Sequence, residues 1–255
     1  MSSRGFPLRS GMRYGCLEAT RQDRFVPRPR VSKVKMSTKA HDLERIVKLE
    51  RVNAPKQARS EKRLQDIIQA LESLLDGRAF EEITIPDIAA RAGCVPASIY
   101  ARFKDKTSIL VALHESIHNR QIAQIDETMR LERHEQLSLD ESILTIFRNL
   151  ARYYTRHRNL LRPAYLLGDS EIYERAAALI RHASERIATI VRQKAKSGPS
   201  DLDKRIDLGT RAVYALLQQR MVFHPLPTGR YPPANDDEMA AELALLFKRN
   251  LTQGA

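Results

Sequence analysis

Three observations predict an all-α protein. Apolar residues recur at helical spacing from about residue 60 to the end of the chain. No alternating apolar–polar stretch has the length of a strand. The interruptions coincide with Gly and Pro: Gly77, Gly93, Gly168, Gly198-Pro199 and the segment from Pro225 to Pro233. With 42% hydrophobic residues among 255, the chain can bury a sizeable core. No apolar run approaches the roughly 18 residues of a membrane span.

Charge and cysteine content narrow the function classes. The net charge is +12, and residues 1–56 supply +9 of it, with 14 Lys/Arg against 5 Asp/Glu. The basic balance is thus a property of the first segment, which is expected to be a mostly disordered extension attracted to polyanions or simply solvated. A weak helical pattern at Leu43, Ile46 and Val47 ends before Pro55, and Met36 is a possible second start of translation. Cys16 and Cys94 are the only cysteines, too few for a four-thiolate zinc site and too differently placed for an expected disulfide. Residues 1–7 lack the apolar core of a secretory signal, so the expected compartment is the cytoplasm.

The first firm helix starts near Ser60. Leu64, Ile67, Ile68, Leu71, Leu74 and Leu75 form its apolar stripe, and Gly77 follows its end. Phe80 and Ile83 lead into the stretch around which the chain is organised, Thr84 to Phe103. There Ile85, Ile88, Ala89 and Ala92 mark one face of a short helix. Thr84 is placed to cap it, Pro86 sits in its first turn, and Gly93 is placed to end it with positive φ. A second short segment starts at Pro96 and turns Ile99 and Phe103 to one side, leaving Ser98, Ala101 and Arg102 outward. This is a helix-turn-helix pattern, whose second helix can enter the major groove of DNA. Asp105 is a good N-cap for the next helix, through Ile109, Leu110, Leu113 and Ile117. Further helices are expected near 106–134, 139–157, 158–167, 170–196, 201–223 and 236–251.

Catalytic patterns are not found. The sequence has no nucleophile elbow, phosphate-binding loop or dinucleotide fingerprint. His114 and His118 are spaced i, i+4 around Glu115, a metal-compatible spacing that lacks a third ligand in view, so no metal and no cofactor are expected. Cys94 reads as a small packed residue in the turn, with a redox role as the alternative.

The stretch from Ile83-Thr84 through Ile88-Ala89, Ala92-Gly93 and Ile99-Tyr100 to Phe103, Lys106 and Ile109-Leu110 resembles the TetR family of bacterial transcriptional regulators. The resemblance covers about residues 57–117. It departs from the family pattern at Val95, where Ser or Thr usually caps the recognition helix, and at Ala97, where Gly is common. It implies three parts: an extension over 1–56, a DNA-binding domain over 57–117, and a helical regulatory and dimerisation domain over 118–255.

The resemblance also implies roles. Tyr100 and Lys106 are expected to reach phosphates, the latter from a helix N-terminus; Thr84 is expected to do so or to act as a cap alone, and both are compatible. Pro96, Ala97 and Ser98 are expected to meet base edges. Arg102 is either a phosphate clamp or a solvated charge. In the second half, Tyr153, Tyr154, His157, Arg162, Tyr165, Tyr173 and Met221 are the candidates to line a small-molecule site. The helices near 201–223 and 236–251 are expected to pair with their copies through Ala212, Leu216, Leu243, Leu246 and Phe247. The expected function is a homodimeric regulator, a repressor of a palindromic operator on double-stranded DNA, released by a small-molecule effector. The alternative is a DNA-bound interaction protein that recruits a protein partner without a ligand. An enzyme is not expected.

Overall fold

The computed structural model describes residues 58–195 and 199–252. The expectations for residues 1–56 lie outside the described residues. The described residues form ten α-helices and one 3-10 turn, with no strand among them.

Helix α1, Ala58–Leu75, buries Leu64, Ile67, Ile68, Leu71 and Leu75. The 3-10 turn Phe80–Glu82 leads to α2, Ile85–Arg91, and α3, Pro96–Tyr100. Helix α4, Lys106–Thr128, is the spine of the molecule: α1 packs on it from one side and later helices from the other. Every residue from Ser108 to His118 is therefore buried, including His114, Glu115 and His118. A helix surrounded on all sides loses its one-sided pattern, so α4 shows little amphipathicity despite its length. It runs unbroken through residue 117, where the DNA-binding domain was expected to end.

The expected helix 106–134 is broken. Helix α4 stops at Thr128, and a single turn, α5, Leu131–His134, follows. Buried His134 holds the break, its Nε2 lying 3.1 Å from the Thr128 carbonyl. Lys194 donates to the His134 carbonyl at 2.6 Å from the end of a later helix.

Helices α6, Leu139–Arg156, α7, Arg158–Leu166, α8, Ser170–Lys194, α9, Leu202–Phe223, and α10, Asp236–Thr252, complete the body. Ser138 and Glu141 form a capping box at the start of α6, satisfying the ends that a helix otherwise leaves open. Helix α10 packs on α6 and α9, with Phe147 and Phe247 edge-to-face at 5.3 Å. Gly209 permits the α9–α10 approach: a Cβ there would lie 2.7 Å from the Phe247 ring.

This packing corrects the expected pairing face. Leu243 and Phe247 are buried in the chain's own core, and Ala212 is half-buried. The exposed apolar residues on these two helices are Leu208, Leu216 and Phe223 on α9 and Leu245 and Leu246 on α10. A helical stripe read from sequence does not say whether the surface it meets is in the same chain or another.

Candidate nucleic-acid interface and ligand cavity

The helix-turn-helix is fixed from below. Ile88, Ile99 and Phe103 are fully buried and Ala89 nearly so, anchoring both short helices to the core beneath. Thr84 and Asp87 form a capping box: the Asp87 N–H donates to Thr84 Oγ1 at 3.3 Å, and the Thr84 N–H donates to Asp87 Oδ2 at 2.8 Å. These bonds from Thr84, with Arg78 at 3.2 Å, hold the Asp87 carboxyl below its ordinary range. Gly93 has φ +64°, a left-handed conformation that glycine adopts without steric cost. The Cys94 N–H closes the turn on the Ala89 carbonyl at 2.9 Å.

Arg63 of α1 adds a clamp that sequence reading missed. Its Nη1 donates to the carbonyls of Ala92 and Gly93, both at 3.1 Å. It satisfies carbonyls that a helix end leaves open and ties the turn to α1. The charge looked like ordinary helix surface, because its partners lie 29 and 30 residues away.

Above this frame the recognition segment is exposed. Val95 is 62% and Tyr100 58% exposed, Pro96 and Ala97 are exposed, and Ser98 is half-buried. Helix α3 has no side-chain cap at Val95, so Pro96, preset for a first helical position, starts it instead. Thr84 is exposed while serving as a cap. Arg102 is half-buried, with Nη1 donating to the Ser98 carbonyl one turn back at 3.0 Å.

Lys106 is placed differently from the expectation. Its ammonium donates to the carbonyls of Phe80 and Ile83, each at 2.7 Å, and lies 4.3 Å from the Phe80 ring centre. The open carbonyls of the 3-10 turn and an aromatic face outcompete water for this cation. In this conformation Lys106 braces the entry to α2 rather than pointing outward.

The body holds a cavity of about 760 Å³ of space between atoms, part of it open to solvent. Helix α4 supplies His114, His118, Gln121, Ile125 and Thr128, which fall on one face at i, i+4, i+7, i+11 and i+14. Tyr153 and Tyr154 of α6, Tyr165 of α7 and Tyr214 of α9 contribute aromatic walls. Of the expected ligand residues, the structure brings Tyr153, Tyr154 and Tyr165 to this cavity. The other four stand elsewhere. His157 stacks on Tyr153 at 4.6 Å and lines a smaller cavity beside Glu72 and Asp76. Arg162 donates to the Val222 carbonyl at 3.0 Å, Tyr173 donates to the Tyr165 carbonyl at 3.0 Å, and Met221 is core. Closeness in sequence groups tyrosines with histidines, whereas a cavity collects residues across helices. The readable signal was the polar stripe along α4.

Burial sets the charge state of the cavity wall. Desolvation, aided by Arg175 and His118, lowers His114 to about pKa 4, so its imidazole is neutral at neutral pH. Burial likewise pushes the hydroxyls of Tyr153, Tyr154 and Tyr214 up. Close by, buried Glu115 pairs with Arg175, which also reaches Glu171 at 2.8 Å.

The head and body are joined side chain to backbone. Asn159 of α7 donates to the Leu75 carbonyl at the end of α1 at 3.1 Å, and Arg120 of α4 pairs with Glu72 of α1 at 2.9 Å. No group of three metal-ligating side chains gathers among the described residues. No helix among them is long and apolar enough to cross a membrane.

Comparison with known proteins agrees with this geometry. Residues 67–113 match the profile of the bacterial regulatory proteins of the tetR family. No curated protein matches the sequence. Among solved structures, a TetR-family transcriptional regulator from Streptomyces coelicolor shares 17% identity over 74% of this chain and 80% of its own, with a TM-score of 0.53. A TetR-family protein from Mesorhizobium loti shares 15% identity over 76% of this chain and 98% of its own, with a TM-score of 0.56. FadR from Thermus thermophilus, a TetR-family transcriptional repressor solved with lauroyl-CoA, shares 20% identity over 75% of this chain and 95% of its own, with a TM-score of 0.50. These similarities concern the fold. The helix-turn-helix stretch thus matches the bacterial regulatory proteins of the tetR family, and it stands on an all-α fold shared with solved structures of that family.

Proposed function

We propose that this protein is a homodimeric repressor that binds an inverted-repeat operator and is released by a small molecule in the body cavity. The observation that carries the reading is an exposed recognition segment, Val95 to Tyr100, on a fully buried platform of Ile88, Ile99 and Phe103. Rigid presentation of a short helix is what major-groove reading requires. In this reading Ser98, Pro96 and Ala97 meet base edges. Tyr100 and Thr84 approach phosphates, and Arg102 steadies the segment from its own carbonyl contact. The exposed leucines of α9 and α10 support self-association about a two-fold axis. The fold accommodates both roles, since FadR from Thermus thermophilus is a repressor solved with an acyl-CoA.

Release follows from differential affinity: a ligand shifts the protein only toward the head arrangement it binds better. The physical route begins at Tyr153 in the cavity wall and passes to His157, stacked on it at 4.6 Å. His157 is the joint between α6 and α7, and Asn159, two residues on, holds the end of α1.

The double variant Ser98→Ala, Tyr100→Ala tests the head. Both side chains lie outside the core, so thermal unfolding is expected to stay within a degree or two while operator affinity falls about tenfold or more. Unchanged affinity in a folded double variant contradicts the assignment.

A further inference from the structure

Two buried polar groups in the cavity wall have no protein partner. His114 Nδ1 and the Tyr214 hydroxyl are both buried, 5% and 2% exposed, and neither finds a hydrogen-bond partner among the protein's atoms. Both residues line the cavity, on helices α4 and α9. A buried donor or acceptor left unmade is costly and rare in a folded protein, so two in residues that line one space point to something that occupies it. The rest of the lining limits what that is. Its apolar members, among them Ile125, Ile146 and Leu161, stand beside the uncharged amides of Gln121, Gln124 and Asn149 and the imidazole of His118, with no carboxylate, ammonium or guanidinium among the described residues. Moving an ionised group into such a space without an opposite charge costs far more than an apolar contact returns.

We propose that the effector is an uncharged, mainly apolar molecule with a hydroxyl or carbonyl group, held between His114 and Tyr214. This rests on the reading of the cavity as the effector site. Tyr214 supplies a hydroxyl donor and acceptor, and the imidazole nitrogen supplies an acceptor or donor according to tautomer. Tyr153, Tyr154 and Tyr165 add aromatic surface for the apolar part. A fully enclosed carboxylate or phosphate has no fixed cation in this lining to receive it.

Three probes with one ring system and different end groups test the class: 2-naphthalenemethanol, 2-naphthoate and 2-naphthylmethylammonium, titrated by calorimetry into the full chain at neutral pH. The expected result is that the alcohol binds at least about tenfold tighter than either ion. Binding of the naphthoate as tightly as the alcohol, with proton uptake by the histidines, overturns the proposal, as does failure of all three to bind. Tyr214→Phe is the second arm. It is expected to weaken the alcohol about fivefold while leaving the thermal midpoint unchanged or higher, because the hydroxyl it removes is unsatisfied without ligand. A lowered midpoint with unchanged alcohol affinity overturns the assignment of that group. Operator release is scored separately. An alcohol that binds without releasing DNA leaves the ligand class standing and defeats the repressor-release reading. An anion that binds and releases DNA does the reverse.

Discussion

His114 shows how a single residue ties stability to pH in this protein. Its folded pKa is about 4, against an ordinary value of 6.5, because burial disfavours the imidazolium. Between these values the unfolded chain binds the proton and the folded chain does not, so the stabilising neutrality is complete above 6.5 and is lost as pH falls toward 4. At about pH 5 the loss is about 2 kcal/mol. Urea unfolding of wild type and His114→Leu at about pH 7.5 and about pH 5 checks this: the wild type is expected to lose about 2 kcal/mol more than the variant on acidification. Equal losses contradict a buried neutral imidazole. Gly93 and Thr84 show the opposite case, in which residue type alone announced the role. A glycine at a turn that needs φ above zero, and a threonine three residues before an aspartate, leave few alternatives.

Elements were legible where their pattern is local. The stripe of α1, the capped starts of α2 and α4, and the breaks at Gly77, Gly168 and Pro225 all depend on neighbours within one or two turns. What escaped depends on distant partners. Lys106 turns inward because two carbonyls more than twenty residues back are open to it, and Arg63 clamps a turn about thirty residues on. Leu243 and Phe247 carry the same apolar signal as Leu246, yet α6 and α9 bury the first two and leave the third exposed. The cavity draws on α4, α6, α7, α8 and α9, so no sequence window contains it. The proposed release mechanism depends on the junction of α1 with α7. Asn159→Ala removes the bond to the Leu75 carbonyl at the junction surface. It is expected to leave ligand affinity within about twofold while reducing the ligand-induced change in operator affinity about fivefold, a loss of about 1 kcal/mol of coupling. Unchanged coupling in calorimetric and gel-shift titrations places the signal elsewhere.

At the scale of the molecule, the two halves share one spine. Helix α4 begins beneath the recognition segment and ends in the cavity wall, so a change of its tilt is felt at both ends. Two copies are needed to turn such a tilt into a change in the spacing of two heads. The exposed Leu208, Leu216, Leu245 and Leu246 supply an apolar surface on α9 and α10. Leu216→Glu with Leu246→Glu is expected to give a folded monomer by sedimentation velocity at micromolar concentration, where the wild type is expected to be a dimer; a dimeric variant places the interface elsewhere. The central claim is that a rigid pair of exposed recognition segments reads a symmetric site. Selection of duplexes from a random library by the full chain, at about physiological salt, tests it most directly. The account predicts an inverted repeat whose half-sites are centred about 34 Å apart or a multiple of it. Uniform recovery of sequences, or enrichment of one unrepeated half-site, contradicts it.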